Sequence, residues 1–497
     1  NPLKNMKKIL TLAVILGITA AGAPYLAGRL TEQRLYDKVD GSLGEQAAKH
    51  LGLKLGLENY QRGYASSTAT LTIGEGDNIR RYPLDIRHAP LTLTDFDITR
   101  ITIKHPAEAQ LPDGDLRVNL LRNLTYTQHV PAEEKNGNTF KGADITIQGP
   151  EKGFPLNNTL TLDMHGVQQD KSTFEPAQIT FNYTDSGLTL NSPVINYRDD
   201  DIQAILRNPQ VSLPFITVNG KQLPARVEYR LGESSFKTDD GDIDLSLREN
   251  SLLLGIEEES STYNLIARLD SQFTIAGETA SQIKMLLPVV PDQFHFDYTL
   301  KNLSPQSVQA AADLFQQAKP LRGDNSAAAL ATDSISQLTQ NLPSNTLDAM
   351  VDSKERSEML VDQLQRDLLA RDLGLHLAIA LNGAGKGIGV DISLAEHIKS
   401  EADLETFKNG SKPPLAQYLY GSRLHAHIDR AVLGGLLGQF LSADELARMH
   451  FVAADDRYTL DFAINADGYQ LNGKPLSDDE LADFMRDLFG AALGAEY

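Results

Sequence analysis

The run Ile9–Gly28, ILTLAVILGITAAGAPYLAG, holds twenty residues without a single charge. A helix rises about 1.5 Å per residue, so such a run spans about 30 Å, the thickness of a bilayer's hydrocarbon core. Lys4, Lys7 and Lys8 precede it, while the far side opens on Arg29 and soon mixes both signs. The positive-inside rule then keeps the N-terminus in the cytoplasm and sends everything after residue 28 across the membrane. No later stretch is long and apolar enough to return. The prediction is a single-pass chain with one large body on the far side.

A cleaved signal peptide competes with this reading, because Lys7-Lys8 precede a leucine-rich run and Ala21-Gly22-Ala23 offers an A-x-A site. Pro24 would come just after that cut, where a locked φ and a missing N–H oppose the extended binding a protease needs. A signal h-region is also shorter, about 7–15 residues. The uncleaved anchor fits better, with residues 6–28 as the transmembrane segment, Met6 as the start and 1–5 as an upstream extension. Gly17, Gly22 and Gly28 make no G-x-x-x-G dimer motif.

The chain beyond the anchor is too long for one ordinary domain, at 497 residues in all. Hydrophobic residues at 41% and charged ones at 23% permit a sizeable core and argue against wholesale disorder. A net charge of −20 repels nucleic acid and disfavours broad docking on anionic lipid. The absence of cysteine removes disulfides, thiolate metal sites and cysteine nucleophiles together, and suits an oxidising compartment without requiring one. The absence of tryptophan weakens readings based on sugar stacking.

Residues 29–52 read as a stalk helix, with Leu35, Val39, Leu43 and Ala47 on one stripe. The period then changes to two. STATLTI (67–73), LTLTDFDITRITIK (91–104), NTLTLDMHG (158–166) and AQITFNYT (177–184) alternate β-branched, hydroxyl and charged residues between turn signals. Asn219-Gly220 is the clearest hairpin turn. This pattern predicts a large antiparallel, curved β-sheet over 53–303. From Ser304-Pro305, an N-cap and first-turn proline, a helical segment runs over 304–372, including a helix at 346–372. An α+β part over 373–497 closes the chain: a hairpin at 373–395, a strand at 423–429, two helices within 432–448, a hairpin at 457–473 and a terminal helix. Ser442-x-x-Glu445 and Ser477-x-x-Glu480 are capping boxes. The fold class is α+β.

Three of these features occur together in a known family. ENYQRGYASSTATLTI (58–73) carries Tyr60, Arg62, Gly63 and Ser66-Ser67 into a strand, and GYQLNGKPL (468–476) lies near the other end. With the lysine-flanked anchor, they resemble the YdgA-like family of bacterial envelope proteins, whose function is unknown. The resemblance runs from Met6 along the chain. It implies a Gram-negative inner-membrane protein, single pass, with its C-terminal bulk in the periplasm. It supplies no agreed catalytic residues, so none is carried over.

His425-Ala426-His427-Ile428-Asp429 is the one pattern that invites metal chemistry, similar to the H-x-H-x-D of metallo-β-lactamase-type hydrolases. A strand would set both imidazoles and the carboxylate on one face. Arg430 stands where that pattern continues with histidine, and His450 is the only further imidazole downstream. The alternative is a polar strand face opposite Leu424, Ala426 and Ile428. LNGAGKGIG (381–389) lacks the hydroxyl of a phosphate loop and reads as a turn between strands. Asp199–Asp201, Asp239-Asp240-Gly241-Asp242 and Glu257–Glu259 read as solvated turns. There is no G-x-S-x-G elbow.

The function these features suggest is non-catalytic binding or scaffolding in the envelope, held to the inner membrane through residues 9–28, with no nucleic acid, metal or cofactor. An antiparallel sheet has one face that needs cover. If the later helices fill it, the protein is a self-associating scaffold, a homodimer; if they fill it in part, an apolar groove remains for a lipid. Ordinary hydrophobic content favours the filled version. A metal-dependent hydrolase using His425, His427 and Asp429 is the remaining alternative.

Overall fold

The computed structural model describes residues 54–493 except 64–65, 76–77, 89–96, 106–110, 120, 136, 151–156, 318–345 and 411–414, together with Tyr36 and Val39. The anchor at 9–28 and nearly all of the stalk at 29–52 lie outside the described residues. Among the described residues, no helix is long and apolar enough to cross a membrane. The described residues form two compact units, one of those up to residue 200 and the other of those from 201 onward. The stretch read as one β-rich region, 53–303, therefore contributes to both, and the later α+β part belongs to the second.

In the first unit, antiparallel neighbours follow mostly in chain order, from Lys54–Arg62 and Ser66–Glu75 through Asn78–His88, Asp97–Ile103, Gly114–Asn119 and Asn123–Val130. Ala143–Pro150, Asn158–Met164, Ala177–Thr184 and Gly187–Asn191 continue the series. Alternation delivers one side chain in two to the core: Leu84 and Ile86, Ile101 and Ile103, Leu116 and Val118, Leu124 and Tyr126 are all buried. Val39 is fully buried in this cluster, with Tyr36 packed beside it. At that point the predicted stalk is part of the body's core rather than a free spacer.

Five strands of this unit break at one level, at Pro131, Lys141-Gly142, His165-Gly166, Pro176 and Pro193, and resume as Glu133–Lys135, Asn138–Phe140, Val167–Gln169, Ser172–Phe174 and Val194–Arg198. These short pieces pair among themselves in a second row. Proline cannot donate to a ladder, so the breaks fall where Pro or Gly interrupts the β-branched runs.

In the second unit eight antiparallel strands lie side by side: Arg226–Leu231, Asp244–Glu259, Thr262–Ala276, Gln293–Leu303, Gly374–Gly383, Lys386–Ala395, Arg423–Asp429 and Arg457–Asn465. The helices Pro305–Gln317 and Thr346–Ala370 are an excursion between the fourth and fifth of these strands. Ser304 caps the first of them, its Oγ accepting the Ser307 N–H at 3.1 Å. The Ser304 N–H and the Ser307 hydroxyl both donate to buried Asp367 on the second, at 2.8 and 2.6 Å. The predicted caps at the other helices form as well. Ser442 Oγ accepts the Glu445 N–H at 3.2 Å, and Ser477 and Glu480 complete a reciprocal box before the terminal helix Asp478–Leu493.

The stretch 432–448 holds its two predicted helices, broken before Ser442, but both are short. It forms a 3₁₀ turn at Arg430–Gly434 and two short helices, Leu437–Phe440 and Ala443–Arg448. Gly434, Gly435 and Gly438 dilute helix propensity there, and Gly435 lies against the Leu286 carbonyl, where a Cβ would come within 2.6 Å.

Candidate functional site

Alternation on Arg423–Asp429 turns His425 and His427 to one face and Ala426 and Ile428, both buried, to the other. His425 is exposed, with Nδ1 2.6 Å from Asp461 Oδ1 on the next strand. His427 lies half-buried over Gly389, where an added Cβ would come 2.5 Å from the ring. Burial holds the His427 pKa below the ordinary imidazole value, and Arg457 pushes the same way. The two ring centroids are 6.0 Å apart.

Asp429 does not join them. It is buried, accepts the Gly387 N–H at 2.8 Å and has Arg457 Nε 3.2 Å from its other oxygen. His450 is engaged with Asp487 at 3.1 Å in the C-terminal part. Among the described residues, no group of three or more histidine, aspartate or glutamate side chains is arranged to hold a metal ion. The strand expected from the sequence forms, yet the three-ligand set does not, because one member serves as a buried acceptor for a hairpin end. In the H425A/H427A double variant, stability is expected to fall by less than about 1 kcal/mol, since His425 is exposed and His427 stays on the sheet's polar face outside the apolar core. Metal analysis of the purified protein is expected to find no stoichiometric zinc. One zinc per chain, absent from the double variant, would restore the hydrolase alternative.

The glycine-rich stretch 381–389 and the Asp239–Asp242 cluster resolve into turns, whereas Glu257–Glu259, also expected in a turn, close the strand Asp244–Glu259, because their backbone pairs with Thr262–Asn264. Ala384 and Gly385, at φ 50° and 75°, join two strands, and Lys386 pairs with Asp456. Asp240 accepts the Asp242 N–H at 3.1 Å, and the Asp240 carboxylate raises the Asp242 pKa above its usual value.

The histidines belong to a polar face of the eight-strand sheet. One row of register partners across it reads Glu228, Leu253, Arg268, Asp297, Ala378, Asp391, His425, Asp461. A hollow of about 530 Å³ opens here, lined by Glu257–Glu259, Asn264, Arg268, Asp297, His376 and neighbours. Arg268 Nε is 3.0 Å from Asp297 and its Nη1 3.5 Å from Glu257. In the first unit a hollow of about 360 Å³ is polar as well, with Asp97, Asp115 and Arg117 in its lining.

The opposite face of the same sheet is built differently. One row reads Val227, Leu254, Ala267, Tyr298, Leu377, Ile392, Leu424, Phe462; the next reads Tyr229, Leu252, Leu269, Phe296, Ile379, Val390, Ala426, Leu460. Two consecutive rows thus cross eight strands with no charge, and the tyrosine hydroxyls are their only polar side-chain groups. Strands stand about 4.8 Å apart, so the rows extend for about 34 Å.

Among the described residues, cover on this face is partial. The terminal helix brings Leu481 and Phe484 onto Ala426, Leu460 and Ile464 at one end. Leu364 and Leu368 of Thr346–Ala370 pack with Leu265, Leu300 and Leu303 along one margin. Away from these contacts Val227, Leu254, Ile379, Val390 and Leu394 remain 38–45% exposed. The alternation within each strand is visible in the sequence, as in LGLHLAIALNG (373–383). The continuity of the rows is not, since it depends on the register between segments far apart in the chain.

The sequence model of one family, described as a bacterial protein of unknown function (DUF945), matches residues 6–351. The phrase at 468–476 and the His425–Asp429 segment lie beyond that match. No curated protein and no solved structure matches the chain significantly. The matched span is the larger part of the chain, and the protein belongs to this bacterial family of unknown function.

Proposed function

We propose that this protein is a non-catalytic binding protein of the bacterial envelope, close to the YdgA-like group, anchored in the inner membrane by residues 9–28 with its body in the periplasm. Its binding surface is the apolar face of the eight-strand sheet, and its ligand is the acyl part of a lipid. The observation that carries this reading is the pair of apolar rows, along which Val227, Leu254, Ile379 and Val390 stay 40–45% exposed.

The chemistry of the surface favours an acyl chain over a peptide. The backbone of these strands is spent on its own ladders, so the face offers mainly methyl and ring surface. A peptide laid on it would leave N–H and C=O groups unpaired, at a cost of about 1–3 kcal/mol each. An acyl chain has no such groups and gains about 0.8 kcal/mol for each CH₂ removed from water. Partial cover also weighs against the self-associating scaffold, whose face would be filled.

Native mass spectrometry of the full-length protein from mild detergent tests this. The expected species is a monomer carrying one phospholipid. A dimer without lipid would restore the scaffold, and a bare monomer would leave the face without its ligand and remove the carrier reading.

A further inference from the structure

At one end of the eight-strand sheet, two connections come together. One is Thr279–Pro291, which includes the last turns of the helix Gly277–Leu286; the other is Arg430–Ser442. They touch through the glycines: a Cβ on Gly435 would lie 2.6 Å from the Leu286 carbonyl, and one on Gly434 3.2 Å from Pro288. The pair is tied to the strand ends, since Asp292 donates its N–H to Asn382 O at 2.8 Å and accepts the Ala384 N–H at 3.1 Å. The apolar face reaches this end through Phe294, Leu381 and Ile388.

Four large apolar side chains stand out from these connections. Phe440 is 77% exposed, Met285 68%, Leu286 53% and Leu436 40%. Beside these side chains stand the exposed cations Lys284 and Arg430, the latter 5.1 Å over the Tyr458 ring, while the carboxylates of Glu278, Asp292, Asp429 and Asp444 come in only at the far ends of the two connections. Apolar side chains flanked by cations, on loops at the end of a sheet, match the interfacial layer of a bilayer containing anionic lipid. They match a protein partner poorly. Even at about 200 Å² per side chain, four partly exposed ones offer about 500 Å², below the ~800 Å² per partner of a stable interface.

We propose that Met285, Leu286, Leu436 and Phe440 form a membrane-contact tip that dips into an anionic bilayer surface. This goes beyond the carrier reading and does not depend on it: the tip can engage a membrane whether or not the sheet face holds an acyl chain. If both hold, the tip sets the end of the apolar face against the leaflet from which a lipid would come.

The absence of tryptophan makes a direct test available. Full-length F440W is reconstituted with vesicles of phosphatidylethanolamine and a minority of phosphatidylglycerol, with and without bromine on the acyl chains. Full-length L121W serves as control, because Leu121 is 81% exposed in the first unit. The expected result is a blue-shifted indole emission from F440W, quenched by brominated lipid several-fold more than the emission from L121W. The quenching is expected to weaken when K284E and R430E are added to F440W. Equal quenching in the two variants would overturn the tip. So would a blue shift that appears without vesicles and grows with protein concentration, which marks contact between chains. Because the readout is the depth of one side chain, it is unaffected by whether native mass spectrometry finds a bound lipid.

Discussion

The variants L254E and I379E are each expected to reduce phospholipid carried through purification by at least about tenfold, equivalent to about 1.4 kcal/mol of binding free energy. On the apolar face Leu254, on the second strand, is 45% and Ile379, on the fifth, 41% exposed. In the lipid-free protein a carboxylate there stays in water, so the fold is expected to lose no more than about 1 kcal/mol. Under an acyl chain the same carboxylate must give up its hydration without a counter-ion, and the lipid is excluded instead. Phospholipid per mole of protein after extraction is the measurement, with H425A on the opposite face as the control. Wild-type lipid content in both glutamate variants would place the ligand elsewhere.

The largest effect on stability is expected from F484A, a loss of about 3–5 kcal/mol. Phe484 is 1% exposed, with its ring 5.0 Å from that of Phe462 and 5.5 Å from that of His450. Truncation leaves a cavity under the terminal helix, and Leu460 and Ile464 lose part of their cover. Two compact units need not unfold together, so urea denaturation has to be followed by a probe within the second unit. A loss under about 1 kcal/mol would mean that the terminal helix does not close this end of the sheet.

The two experiments address the same sheet from opposite sides of one question, which is how much of its apolar face the helices take. Ordinary hydrophobic content favours full cover. The helices instead reach Ala426 and Leu460 at one end and Leu265 and Leu300 along one margin, leaving Leu254, Ile379 and Val390 exposed. Composition counts apolar residues without locating them. A modest number becomes a continuous surface when register lines up Leu252, Leu269, Phe296, Ile379 and Val390 from five strands.

The H-x-H-x-D segment marks a similar boundary. Its strand, and the shared face of His425 and His427, are consequences of alternation. The fate of Asp429 is not, because it turns on the Gly387 N–H and on Arg457, neither of them next to it in sequence.

The sequence by itself determined the local conformations: strand where the period is two, helix from Ser304 and Ser477 onward, reversal at Asn219-Gly220, where φ is 50° and 76°. Each of these rests on forces acting within a few residues, namely side-chain crowding, capping hydrogen bonds and the freedom of φ. Tertiary structure alone decided which strands became neighbours, which helix covered which row, and where charged and apolar surface remained open. Those outcomes depend on register and packing between segments as distant as Tyr229 and Val390, and no local preference carries that information.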